Sequence, residues 1–110
     1  MHRTVVHLNE DDTQKIRTVL QNITNLYVAL APDLQVELVA HGPGIAVVTE
    51  PPGEKLTALL QTGLQMLVCQ NTMTNRGLTP AHIHPAATIV PSGVAHLVTR
   101  QTQGWSYLHP

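Results

Sequence analysis

The apolar positions of this 110-residue chain fall into short runs that alternate with longer amphipathic stretches. Thr4-Val5-Val6-His7-Leu8 is β-branched and apolar, as a buried strand is, and the polar cluster Asn9-Glu10-Asp11-Asp12 stops it. Asn9 is a suitable N-cap, with three acids to complement the dipole of the first helical turn. Ile16, Val19, Leu20, Ile23, Leu26, Tyr27 and Leu30 then recur at helical spacing while Gln14, Arg17, Gln21, Asn22 and Asn25 lie elsewhere, which predicts an amphipathic helix ending before Pro32. Residues 34–40 form a second strand that runs into His41-Gly42-Pro43-Gly44, a tight loop whose backbone is open to a ligand. The five-residue run 45–49 has no decisive period, and a short helix packed on the sheet is favoured over a strand.

After the break at Pro51-Pro52-Gly53, the pattern predicts a helix over 54–62 with Leu56, Leu59 and Leu60 inward and Gly63 as its stop. A third strand over 64–69 ends on Cys69, and a short helix over 71–76 ends at Gly77. Residues 79–85 are a loop bounded by prolines. Residues 87–90 make a fourth strand, and Ser92 caps a helix turned inward by Val94, Leu97 and Val98 and closed by Gly104. Trp105-Ser106-Tyr107-Leu108 makes a terminal strand.

Strand and helix alternate throughout, so the expected fold is a single α/β domain over residues 1–110, a parallel sheet with helices on both faces. In such sheets ligands gather at the carboxyl ends of the strands. Those ends carry His7, His41-Gly42-Pro43-Gly44, Cys69-Gln70-Asn71 and Pro91-Ser92-Gly93, so four separate elements bring polar or reactive groups to one edge.

Composition narrows the function classes. Charged residues are 12% of the chain against roughly a quarter in a typical domain, so much of the surface is weakly polar and a homo-oligomer is expected. The net charge of −1 supplies no basic field for phosphates, and three aromatics without a Phe supply no stacking platform, which argues against nucleic-acid binding. No apolar run approaches the roughly 18 residues of a membrane span, and Met1-His2-Arg3-Thr4 opens no signal-peptide core. A cytoplasmic protein with no membrane partner is expected.

The single cysteine excludes an internal disulfide and any paired-cysteine redox or zinc motif. On residue type alone, Cys69 is a small core residue more often than a nucleophile. Its position is the counter-argument: the free N–H groups of a helical first turn and the helix dipole stabilise a thiolate at a strand end, and Arg76 would add positive charge. His41 is as suited to a structural hydrogen bond as to a ligand, and His7 lies inside an apolar run. Asn71 and Thr72 can cap their helix and also offer donors to an anion, and Ser92 is first of all a cap. His82-x-His84 is the only close histidine pair and has no third ligand near it, so no metal and no cofactor are expected.

With these residues assembled, the chain resembles the DsrE/DsrF-like family of small sulfur-relay proteins. The resemblance rests on His41-Gly42-Pro43-Gly44, Cys69-Gln70-Asn71-Thr72-Met73, Val90-Pro91-Ser92-Gly93-Val94 and Gly104-Trp105-Ser106-Tyr107, in an order that spans the chain from Val5 onward. Sulfur-carrying DsrE-type subunits place a reactive cysteine at a strand end, eight residues before a glycine preceded by arginine, and Cys69, Arg76 and Gly77 match that spacing. The resemblance implies a three-layer α/β/α sandwich around a five-stranded, mainly parallel sheet, assembled as trimers or hexamers. It also implies that Cys69 is the catalytic residue of a sulfurtransferase or sulfur carrier, holding sulfur as a persulfide between donor and acceptor proteins. The alternative is a non-catalytic homo-oligomeric module that binds a small anionic ligand at the strand edge through His41, Gly42, Gly44, Asn71, Thr72 and Ser92.

Overall fold

The alternating pattern resolves into five strands and five helices in a computed structural model that describes residues 1–110. The strands are β1 (His2–Leu8), β2 (Leu34–Ala40), β3 (Gln65–Cys69), β4 (Thr88–Val90) and β5 (Ser106–Leu108). The helices are α1 (Thr13–Leu30), α2 (Ala46–Thr49), α3 (Glu54–Thr62), α4 (Gln70–Asn75) and α5 (Gly93–Thr102), with 3-10 turns at Gly42–Ile45 and Pro80–His82. All strand pairings are parallel, in the order β4-β3-β2-β1-β5. The architecture is the expected α/β sandwich around a five-stranded parallel sheet.

Connection direction decides which face each helix covers. From β1 to β4 every step moves to the neighbouring strand on the same side, and right-handed crossovers therefore keep the intervening helices on one face. The last connection crosses back over the whole sheet to β5, which puts α5 on the other face. The core divides accordingly. Val6, Leu8, Leu38, Ala40, Met66 and Val68 pack in one large cluster with Val19, Ile23, Leu56, Leu59 and Met73 from the first face's helices. The alternate strand positions Val5, Val39 and Leu67 pack with Leu97 and Trp105 in a smaller cluster under α5. No helix is long and apolar enough to cross a membrane.

Two local expectations are corrected. The cap of α1 is Asp12 rather than Asn9: its Oδ1 accepts the Lys15 amide at 2.8 Å, and the first turn holds no acid. Residues 9–11 instead carry the chain from the sheet to the helix layer, a rise that extended residues span at no more than about 3.5 Å each. In α5, Ser92 is the cap as expected, accepting the Ala95 amide at 3.2 Å, but Val94 and Val98 face outward, 53% and 64% exposed. The inward face carries Gly93, His96, Leu97 and Arg100 because Glu37 of β2, only 1% exposed, projects toward α5. His96 Nε2 lies 2.7 Å from Glu37 Oε1, and Arg100 donates to both carboxylate oxygens at 3.0 and 2.9 Å. A buried carboxylate demands such partners, and it sets the rotation of the helix ahead of the two valines.

The remaining boundaries shift by a residue or so. The 45–49 run is helical, as favoured, and Leu60 is only partly buried, beside the fully inward Leu56 and Leu59.

Candidate functional site

Strand alternation assembles the site. His7 lies two residues beyond Val5, His41 two beyond Val39 and Cys69 two beyond Leu67, so all three side chains stand on the α5 face at the carboxyl edge of the sheet. Tyr107 pairs in register with Val5 and shares that face. The β2–β3 register ends at Ala40 opposite Val68, which sets His41 and Cys69 side by side at the ends of neighbouring strands. The start of α5 sits directly over them. A Cβ placed on Gly93 would lie 3.2 Å from His41 Cβ, 3.3 Å from Cys69 Cβ and 3.6 Å from Val39 Cγ1. A side chain there would crowd His41 and Cys69, so its absence favours the close approach of the Gly93 amide to the sulfur.

Cys69 is 4% exposed and precedes the first residue of α4. Its electrostatics are set by burial and by the polar groups arranged around the sulfur. Burial alone would raise the thiol pKa. The N–H of Gly93, the N–H and hydroxyl of Thr72 and the N–H of Asn71 more than offset burial, and the pKa lies below that of an ordinary cysteine. These donors come from two helix starts, where backbone N–H groups have no intrahelical partner.

A second group of side chains continues from His41 along the edge. His7 Nε2 lies 2.9 Å from His41 Nδ1, and His7 Nδ1 lies 2.7 Å from the Tyr107 hydroxyl. The His7 ring is stacked between those of His41 and His109, with centroids 4.7 and 4.8 Å away. Burial, and then the neighbouring His41 and His109, lower the His7 pKa to about 4. Burial, with His109, lowers that of His41 as well. Both shifts favour the neutral imidazole at pH 7.

The other residues expected at the site have specific places. The Gly42 amide is occupied, donating to Thr72 Oγ1 at 2.9 Å. Gly44 is buried where a Cβ would lie 2.0 Å from the Leu8 carbonyl oxygen, so its lack of a side chain serves the contact between the 41–44 turn and β1. Asn71 is exposed and offers its backbone amide to Cys69. Ser92 caps α5 and thereby fixes the turn that presents Gly93. Arg76 is at the far end of α4, where with Asp11, Pro43 and Leu78 it lines a surface cavity of about 410 Å³, and it is not among the groups that shift Cys69. No group of three His, Cys, Asp or Glu side chains is arranged to hold a metal ion. Sequence reasoning placed Gly93 at this edge without a role and missed Tyr107 and His109 as parts of it. The only available signal was the period-two spacing of Tyr107 and His109 on a strand that ends at the same edge.

Comparison with known proteins agrees with this fold. The protein of unknown function MTH1491 from Methanobacterium thermoautotrophicum superposes with a TM-score of 0.94 at 30% identity, over 100% of both chains. The ychN protein from E. coli superposes at 0.72 with 16% identity, again over 100% of both chains, a likeness of fold. No curated protein matches the sequence. The family model for the DsrE/DsrF-like family matches residues 5–110, the stretch that supplies the sheet edge, Cys69 and the α5 start, and the chain belongs to that family.

Proposed function

We propose that the protein carries sulfur as a persulfide on Cys69, receiving it from one thiol partner and passing it to another. The observation that carries this reading is the set of donors from Gly93, Thr72 and Asn71 around one buried sulfur, which favours the thiolate despite burial. The thiolate is the nucleophile in exchange at sulfur. Cys69–S⁻ attacks the outer sulfur of a donor persulfide R–S–SH. The donor S–S bond breaks, R–S⁻ leaves and takes up a proton, and Cys69–S–SH forms. An acceptor thiolate then attacks that outer sulfur and Cys69 departs as thiolate. The sulfane sulfur changes partner without net oxidation or reduction, so the chemistry needs no metal and no cofactor. Family membership, associated with sulfur relay in general, supports the same reading.

A homo-oligomer, trimeric or hexameric, is part of the proposal. Val94 and Val98 on α5 and Tyr107 and Leu108 on β5 are exposed apolar positions on the two elements whose ends reach the site. A neighbouring subunit would build walls around the site.

Intact mass spectrometry after incubation with a sulfane-sulfur donor tests the function, with Cys69→Ser as control. Mass added in whole sulfur atoms, removed by reductant and absent from the variant, is expected. No added mass, together with a thiol that resists alkylation in the folded protein, would overturn the reading in favour of a binding module.

A further inference from the structure

We infer that Tyr107, His7 and His41 form a neutral proton path between solvent and the sulfur chemistry at Cys69, with Tyr107 and His7 as positioning residues that act through His41. This rests on the persulfide reading and adds to it the route by which protons enter and leave.

The geometry is a continuous chain of hydrogen bonds. The Tyr107 hydroxyl, on a residue 40% exposed, is 2.7 Å from His7 Nδ1, and His7 Nε2 is 2.9 Å from His41 Nδ1. His41 Nε2 has no partner within the chain and is not sealed from solvent. It is the free end of the chain, on the residue that stands beside Cys69 and against Gly93.

Each neutral imidazole has one N–H and one lone pair, so the chain has two self-consistent proton arrangements. In the first, Tyr107 donates to His7 Nδ1, His7 Nε2–H donates to His41 Nδ1, and His41 Nε2–H is free to donate. In the second, His41 Nδ1–H donates to His7 Nε2, His7 Nδ1–H donates to the Tyr107 oxygen, and the His41 Nε2 lone pair is free to accept. The Tyr107 O–H then points to solvent.

The two halves of sulfur transfer need these two states in turn. When R–S⁻ leaves the donor, His41 Nε2–H protonates it. His41 recovers a proton at Nδ1 from His7, His7 recovers one at Nδ1 from Tyr107, and the Tyr107 oxygen takes one from water, which leaves the second arrangement. An acceptor thiol then gives its proton to His41 Nε2 and becomes the attacking thiolate. The protons shift back, and Tyr107 releases one to water. Each half-reaction moves one proton through the chain, and no lasting charge is stored in it. His41 at the end of β2 and Tyr107 and His109 from the end of β5 face the His7 ring, and Gly93 at the start of α5 packs against His41. No acid is among the groups that shift either ring, and burial, with His41 and His109 acting on His7 and His109 acting on His41, disfavours a fixed imidazolium.

Tyr107→Phe tests the path, since it deletes one exposed hydroxyl and keeps the ring. Sulfur uptake from a small-molecule persulfide is expected to slow by about a hundredfold, the scale of a lost general acid. The solvent deuterium isotope effect on uptake should change in the variant, while Cys69 alkylation, which uses no relay, keeps its wild-type rate. Uptake at the wild-type rate in the variant would overturn the path. Ring ¹⁵N shifts of His7 and His41 supply a readout independent of sulfur transfer. Neutral rings at pH 7, with tautomer populations that change in Tyr107→Phe, support the path even if Cys69 takes up no sulfur. An imidazolium on either ring at pH 7, or unchanged tautomers, overturns it.

Discussion

The backbone amide of Gly42 donates to the hydroxyl of Thr72 at 2.9 Å across thirty residues of sequence, and the same hydroxyl faces Cys69. One side chain thus fastens the 41–44 turn to α4 and contributes to the polarity around the sulfur. The positive φ of Gly42, 55°, lets the turn aim its amide at Thr72, and a Cβ there would also strike Asn9 Oδ1 at 2.7 Å.

Thr72→Val keeps the shape and removes the hydroxyl. The Gly42 N–H loses its partner, and stability is expected to fall by about 1–3 kcal/mol in urea unfolding. The Cys69 thiol pKa should rise, seen as a shift to higher pH in the profile of alkylation rate. A profile that does not move would show that the backbone amides alone set the thiolate.

Gly93→Ala places a methyl against His41 and Cys69 at 3.2 and 3.3 Å. Relieving that crowding costs about 1–3 kcal/mol, and where the start of α5 lifts to do so its amide withdraws from the sulfur. Lower melting temperature and a raised thiol pKa should appear together in this variant, whereas Gly53→Ala, where the added methyl meets nothing within 4 Å, should leave the thiol pKa unchanged.

Glu37→Gln removes the negative charge beneath His96 and Arg100. Because Glu37 is buried and both partners are only partly exposed, a loss of about 3 kcal/mol is expected. Burial would raise the Glu37 pKa, but the hydrogen bonds from Arg100 and then His96, with their charges, hold it below 4.5. The unfolded chain binds a proton at this group before the folded chain does as the pH falls through 4.5. The wild type therefore loses stability below that pH, and the Gln variant should lack this part of the acid dependence in chemical denaturation at a series of pH values.

His7 gives a second and separate pH window. Unfolded, it protonates as the pH falls through 6.5, whereas in the fold it stays neutral until about 4. Between these values the unfolded state binds the extra proton, so stability falls with acidification from 6.5 to 4 and this contribution levels off below 4. Titration of His7 by NMR should place its midpoint well below that of an unfolded histidine, and His7→Phe should flatten this portion of the stability profile.

Local pattern was enough for the order of strands and helices, the parallel sheet, the Ser92 cap and the arrival of Cys69 at a strand end, because each depends on period, capping chemistry or short-range alternation. The resemblance carried by the His41 loop and the Cys69 segment extended this to the family. Long-range register decided the rest. Glu37 reads as an ordinary polar position within its own strand, and only the crossover that lays α5 over that face makes it a buried charge that turns Val94 and Val98 outward. His7 and Tyr107 lie on two different strands and His41 just past the end of a third, and nothing in their spacing along the chain implies rings within hydrogen-bond reach. Gly93 looks like a turn residue until the packing of α5 shows three neighbours around the place where its side chain would be. Periodicity is written in neighbouring residues and can be read there, whereas contacts between strand ends exist only after the sheet has aligned them.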